Sequence, residues 1–158
     1  MKTKTTKRTQ KITPFLWYDG RVDKAIKFYR SVFKDVKVLS MNRNGRVVQS
    51  ATIRLAGQEL ILFNGGPHFK FNCAFSLFVH CATQKEVDYY WTKLSRGGEE
   101  SRCGWLADPF GLSWQVVPTV LFALINDPDP VKADRACQAM LQMRKIDIKA
   151  LQRAHAGR

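Results

Sequence analysis

The chain repeats itself, and that repeat constrains its fold more than any other feature. At an offset of 62 residues, Phe15-Leu16-Trp17 falls on Leu77-Phe78-Val79, Phe28-Tyr29 on Tyr90-Trp91, and Val32 on Leu94. Gly57 and Gly111 occupy equivalent turns before the last strand of each half. One supersecondary unit is therefore built twice. In the first half, Ile12 to Tyr18 reads as a strand ended by Asp19-Gly20. Val22 to Phe33 then changes to helical period, with Val22, Ala25, Ile26, Phe28, Tyr29, Val32 and Phe33 on one apolar face. Val36 to Met41 reads as a strand, Asn42 to Gly45 as a turn, and Val47 to Leu55 with Glu59 to Phe63 as a hairpin. Asn64-Gly65-Gly66-Pro67 breaks the pattern and opens a loop carrying His68 and Phe69.

The second half starts over, with Ala74 to His80 as a strand and Gln84 to Arg96 as a helix ended by Gly97-Gly98. Glu99 to Arg102 reads as a charged link into a hairpin. That hairpin turns at Asp108-Pro109-Phe110-Gly111, where proline presets φ and glycine accepts positive φ. Alternation in its last strand puts Leu112, Trp114 and Val116 on one face and Ser113, Gln115 and Val117 on the other. Pro118 ends the strand because it has no N–H for a ladder. Val120 to Ile125, Val131 to Met143 and Ile148 to Ala154 then read as helices, with Asp129 as an N-cap and Pro130 at the first helical position. The resulting expectation is an α+β protein of paired βαβββ modules, whose curved mixed sheets close around a cavity. The modules span residues 12–66 and 72–118 of one domain, 12–118, and residues 119–158 form a C-terminal helical extension of it.

A net charge of +13 suggests a polyanion partner until it is located along the chain. Residues 1–11 carry +5 and residues 130–158 another +5, whereas residues 12–129 carry only +3. The excess sits at the ends, so residues 1–11 read as a disordered basic tail, and nucleic acid is not the expected partner. Cys73, Cys81, Cys103 and Cys137 are far apart and form no CxxC pair. With no apolar leader and no run long enough to span a membrane, the expectation is a reduced, cytoplasmic protein.

Trp17-Tyr18-Asp19, Phe28-Tyr29, Asn64-Gly65-Gly66-Pro67, Cys103-Gly104-Trp105 and the succession from Asp108 to Gln115 together carry a resemblance. From about Ile12 to Ala156 the chain resembles the 3-demethylubiquinone-9 3-methyltransferase-like (PhnB-like) branch of the glyoxalase/bleomycin resistance/extradiol dioxygenase (vicinal oxygen chelate) superfamily. The resemblance implies paired βαβββ units, a cavity in each curved sheet, and a homodimer. It also implies where a metal would bind, through His or Glu on the first and last strands of each unit. This chain departs from that pattern. Residues 12–16 and 72–77 contain no His, Asp or Glu, Gln115 stands where the superfamily often has glutamate, and Glu59 is the lone acid on the candidate strands. An amide is a poor ligand for a transition metal, so no metal and no cofactor are expected. Methyl transfer lacks support too, because neither Gly65-Gly66 nor Gly97-Gly98 lies between a strand and a following helix, as adenosylmethionine binding usually requires.

The candidate ligand-binding residues are Trp17, Asn64, His68, Phe69, Trp105, Trp114 and Gln115. Of the neighbours Trp114 and Gln115 only one can face the cavity, and Gln115 is favoured by its place at the superfamily's ligand position. Gln115 and Cys103 are the candidate catalytic groups, although no His or Lys adjoins Cys103 to activate its thiol. Asn64 also suits a turn former, and His80 a structural role at a strand end. Three functions remain open. The first is a metal-free protein binding an apolar or aromatic small molecule, the second an enzyme, either the methyltransferase of the family name or a metal-independent one, and the third a basic-tailed polyanion binder.

Overall fold

A computed structural model describes residues 10–158, which leaves most of the expected basic tail outside the described residues. Gln10 is tied down: its side-chain amide donates to the Glu59 carbonyl and accepts from the Glu59 N–H. Between Lys70 and Phe71 the chain divides into two compact units.

In the first unit the order is β1 (Phe15–Tyr18), α1 (Val22–Val32), β2 (Val36–Asn44), β3 (Val47–Leu55) and β4 (Gln58–Asn64). The strands form one mixed sheet in the order β1-β4-β3-β2, with β1 parallel to β4 and the others antiparallel. Helix α1 buries Val22, Ala25, Ile26, Tyr29 and Val32. They belong to a core that also holds Leu16, Tyr18, Ala51, Ile53, Leu60 and Leu62. The Tyr18 and Tyr29 hydroxyls are 2.9 Å apart and join strand to helix. Period-2 alternation then sends Phe15, Trp17, Ile61 and Phe63 to the opposite face.

The second unit repeats this architecture with β5 (Ser76–Cys81), α2 (Gln84–Ser95), β6 (Glu99–Glu100), β7 (Trp105–Ala107) and β8 (Ser113–Pro118), in the order β5-β8-β7-β6. Thr83 caps α2 by accepting from the Glu86 N–H. Val87, Trp91 and Leu94 are the buried residues of α2, and each stands 62 positions after Ala25, Tyr29 and Val32 of α1. The helices thus follow the repeat as the sequence predicts. The strands do not. Tyr18 and Cys81, the buried last residues of β1 and β5, are 63 apart, because the connection to the helix is one residue shorter in the second unit. A one-residue shift in a strand exchanges its faces, so Trp17 has no counterpart in Val79. Glu99 and Glu100, expected as a link, form the edge strand β6 paired to Ala107 and Leu106.

After β8 come α3 (Val120–Ile125), α4 (Pro130–Leu141) and α5 (Ile148–His155). Asp129 caps α4 by accepting from Val131 and Lys132, with Pro130 in the first turn. Leu121, Ile146 and Leu151 form a core with Val117 of β8, against which Phe78, Leu124 and Met140 pack. The extension is therefore part of the second unit's packing. No helix among the described residues is long and apolar enough to cross a membrane.

Candidate functional site

The second sheet has two chemically distinct faces. Trp91 of α2 donates its indole N–H to the Glu100 carboxylate at 3.0 Å, and Glu100, Leu106, Trp114 and Leu77 are register partners across the sheet. That row faces the helix. Trp114 is 1% exposed, and its indole N–H donates to the Asp108 carboxylate at 2.9 Å. Asp108 also accepts from the Phe110 and Leu112 N–H groups, so one buried carboxylate organises the turn before β8. The other face carries Ser76, Phe78, Ser113, Gln115, Trp105, Ala107 and Glu99. Gln115 lies there as expected from alternation, and its amide donates to the Ser76 hydroxyl at 2.9 Å.

On this open face lies a cavity of about 430 Å³ lined by Cys73, Glu99, Ser101, Trp105, Leu106, Ala107 and Ser113. Ser113 is buried, with its hydroxyl 3.4 Å from the Asn72 carbonyl and 3.7 Å from the Cys73 sulfur. Trp105 is half-buried. The indole N–H groups of Trp17, Trp91 and Trp114 all donate to protein acceptors, whereas that of Trp105 has none among the described residues. A half-buried ring with an unspent donor is a natural platform for a ligand.

The other candidates fall elsewhere. In the first unit, Trp17 stacks edge-on against Phe63 and Phe69, with ring centroids 5.2 and 5.0 Å apart. Its N–H donates to the Gly66 carbonyl, and Gly65 has no room for a side chain because a Cβ there would lie 2.1 Å from the indole. Asn64 is the register partner of Tyr18, on the helix-facing side, and its side chain accepts from the Gly20 N–H. His68 is exposed in the loop that follows. Cys103 adopts φ 56°, with its N–H donating to the Met143 carbonyl, and does not line the cavity. The structure thus brings Trp17 together with Phe69, and Trp105 into register with Gln115. Asn64 and Trp114 point to the helix sides. Cys73, Glu99, Ser101, Leu106, Ala107 and Ser113 complete the cavity unforeseen. Only Ser113 carried a signal, since alternation had already set it on the Gln115 face.

Two βαβββ modules, each with one helix behind a four-stranded mixed sheet, define a glyoxalase/vicinal oxygen chelate fold. The family model for 3-demethylubiquinone-9 3-methyltransferase matches residues 10–117. The PhnB protein from Bacillus cereus is 32% identical, with a TM-score of 0.65 over 70% of this chain and 100% of its own. Protein PA1353 from Pseudomonas aeruginosa shares the fold at 15% identity and a TM-score of 0.59, over 70% of this chain and 98% of its own. A variant of the fosfomycin resistance protein FosX from Listeria monocytogenes, complexed with Mn(II) and 1S,2S-dihydroxypropylphosphonic acid, does so at 14% identity and a TM-score of 0.52, over 68% and 90%. A search of curated proteins returned no match. The chain belongs to the 3-demethylubiquinone-9 3-methyltransferase family, within the glyoxalase/vicinal oxygen chelate superfamily. The family match ends at residue 117, so α3, α4 and α5 lie outside it.

Among the described residues, the donors present do not fit a divalent metal. The face of β5 and β8 away from α2 carries two serines, Phe78, Gln115 and Val117, with His80 at the far end of β5 and with Val117 and Phe78 covered by the C-terminal helices. In the first unit Glu59 is already held by Arg54 at 2.6 Å. No three His, Cys, Asp or Glu side chains converge among the described residues.

Proposed function

We propose that this protein binds a small, largely apolar or aromatic molecule in the cavity of its second module, without a metal. The observation that carries this reading is Trp105, half-buried at the cavity wall with its indole N–H unpaired among the described residues. Ser113 on the cavity wall, with Gln115 on the same face of the sheet, supplies polar groups that would orient a bound molecule, and Ala107 supplies apolar wall. The aromatic group Trp17, Phe63 and Phe69, with Phe69 65% exposed, supports a second surface for association, and we place it in the interface of a homodimer. The cytoplasm is the proposed compartment, on the strength of the separated, unpaired cysteines.

Binding of a naphthalene-type fluorophore tests the reading, with Trp105→Ala expected to weaken it about tenfold, the scale of losing one aromatic contact surface. Unchanged binding by the variant would remove the cavity from consideration. Adenosylmethionine is the control ligand, because the methyltransferase reading rests on the family name alone. Saturable binding of adenosylmethionine would favour the enzyme over the binding protein.

A further inference from the structure

Glu99 and Glu100 are adjacent in sequence and opposite in circumstance. On β6 alternation sends them to different faces. Glu100 accepts from the Trp91 indole and pairs with Arg144, whose guanidinium nitrogen is 3.5 Å from the carboxylate. The Glu99 residue lines the cavity, and its carboxylate has no hydrogen-bond or ionic partner among the described residues. The chain holds 26 Lys and Arg against 13 Asp and Glu, yet none of the seven lining residues is basic. The exposed Glu99 carboxylate, with no ion-pair partner among the described residues, and the half-buried Trp105 ring therefore line the same cavity. Those two groups share a preference, since an aromatic face attracts a cation through its quadrupole and a carboxylate through its charge. Both repel an anion. The Ser101 and Ser113 hydroxyls can orient a hydrogen-bonding substituent without selecting a charge.

We infer that the ligand of this cavity is an organic cation, a flat apolar body bearing an ammonium-type group that lies between the Glu99 carboxylate and the Trp105 ring. The inference rests on the binding function proposed above and narrows it to one chemical class.

Cys73 supplies the readout, being an exposed thiol on the cavity wall, whereas Cys81 is buried. In the full chain, alkylation of Cys73 by iodoacetamide is followed by mass spectrometry while three probes of one skeleton are titrated: 1-naphthylmethylammonium, 1-naphthylmethanol and 1-naphthoate. The ammonium is expected to protect Cys73 at a concentration about tenfold below that of the alcohol, the scale of one exposed ion pair together with a cation–π contact. The carboxylate should protect least. Glu99→Gln should narrow the gap between ammonium and alcohol to the cation–π share of Trp105, and raised salt should narrow it in the unmodified protein. Equal protection by ammonium and alcohol, or a gap undiminished in Glu99→Gln, would overturn the cation assignment and leave the cavity reading standing. Protection by none of the three would overturn both.

Discussion

Trp17 and Trp105 illustrate how one residue type serves two purposes. Trp17 is locked by Gly65 beneath its ring and by Gly66 as its acceptor, while Trp105, on a cavity wall, has no acceptor for its indole N–H among the described residues. The lock is steric. Gly65→Ala would place a methyl group 2.1 Å from the Trp17 ring and force the indole away from the Gly66 carbonyl. Overpacking of this kind costs about 1–3 kcal/mol. Denaturant unfolding should register that loss together with altered Trp17 emission, and an unchanged midpoint would show that the indole moves at no cost. The cysteines separate in the same way. Burial, aided by the charge of Glu86, pushes the Cys81 thiol up to about 12. At neutral pH it is a buried, protonated group, whereas Cys73 is exposed. Ellman's reagent should modify Cys73 in the native protein and Cys81 only after unfolding. Fast native labelling of Cys81 would contradict the packing described.

The turn and strand β8 form the element on which the site depends. Asp108 accepts from two N–H groups of its own turn and from Trp114, so it fixes which face of β8 looks outward. Asp108→Ala leaves the buried indole N–H without an acceptor, a loss of about 1–3 kcal/mol for that group alone. Asp108→Asn can retain the two turn contacts and should be less damaging; equal stability of all three proteins in thermal melts would contradict this role. The faces of β8 were legible in the sequence, because Leu112-Ser113-Trp114-Gln115 alternates cleanly. Helix burial was legible for a similar reason, since a 62-residue offset aligns Tyr29 with Trp91 and Val32 with Leu94. Strand β6 was not. Two glutamates carry no apolar alternation, and what holds them is the Leu106–Ala107 edge and a tertiary bond from Trp91. Strand β2 outran its expected end at Met41 for a comparable reason: from Leu39 to Asn44 it is exposed, and its register shifts twice against β3. The Glu99 wall of the cavity was hidden along with β6.

At the scale of the molecule, the C-terminal extension distinguishes this chain from the domain its family model covers. Its docking is partly ionic. Lys145 lies 2.6 Å from Asp88 of α2, and the Gln84 side chain both donates to the Ile146 carbonyl and accepts from the Ile148 N–H. The hydrogen bond from Lys145 holds the Asp88 carboxyl below its ordinary value of 3.8. A carboxylate so depressed stabilises the fold above its unfolded value, and that contribution fades as pH falls through the folded one. The wild-type protein should accordingly melt above Asp88→Asn at neutral pH, with the difference shrinking below pH 3.8. A difference that grew in acid would reverse the sign of the argument. The central claim, however, concerns the open face of the second sheet. Native mass spectrometry of the full chain, purified without chelator or added ligand and paired with metal analysis, tests it most directly. The expected result is protein free of divalent metal, carrying a noncovalent organic adduct that Trp105→Ala fails to retain. A stoichiometric divalent metal retained through purification would contradict it.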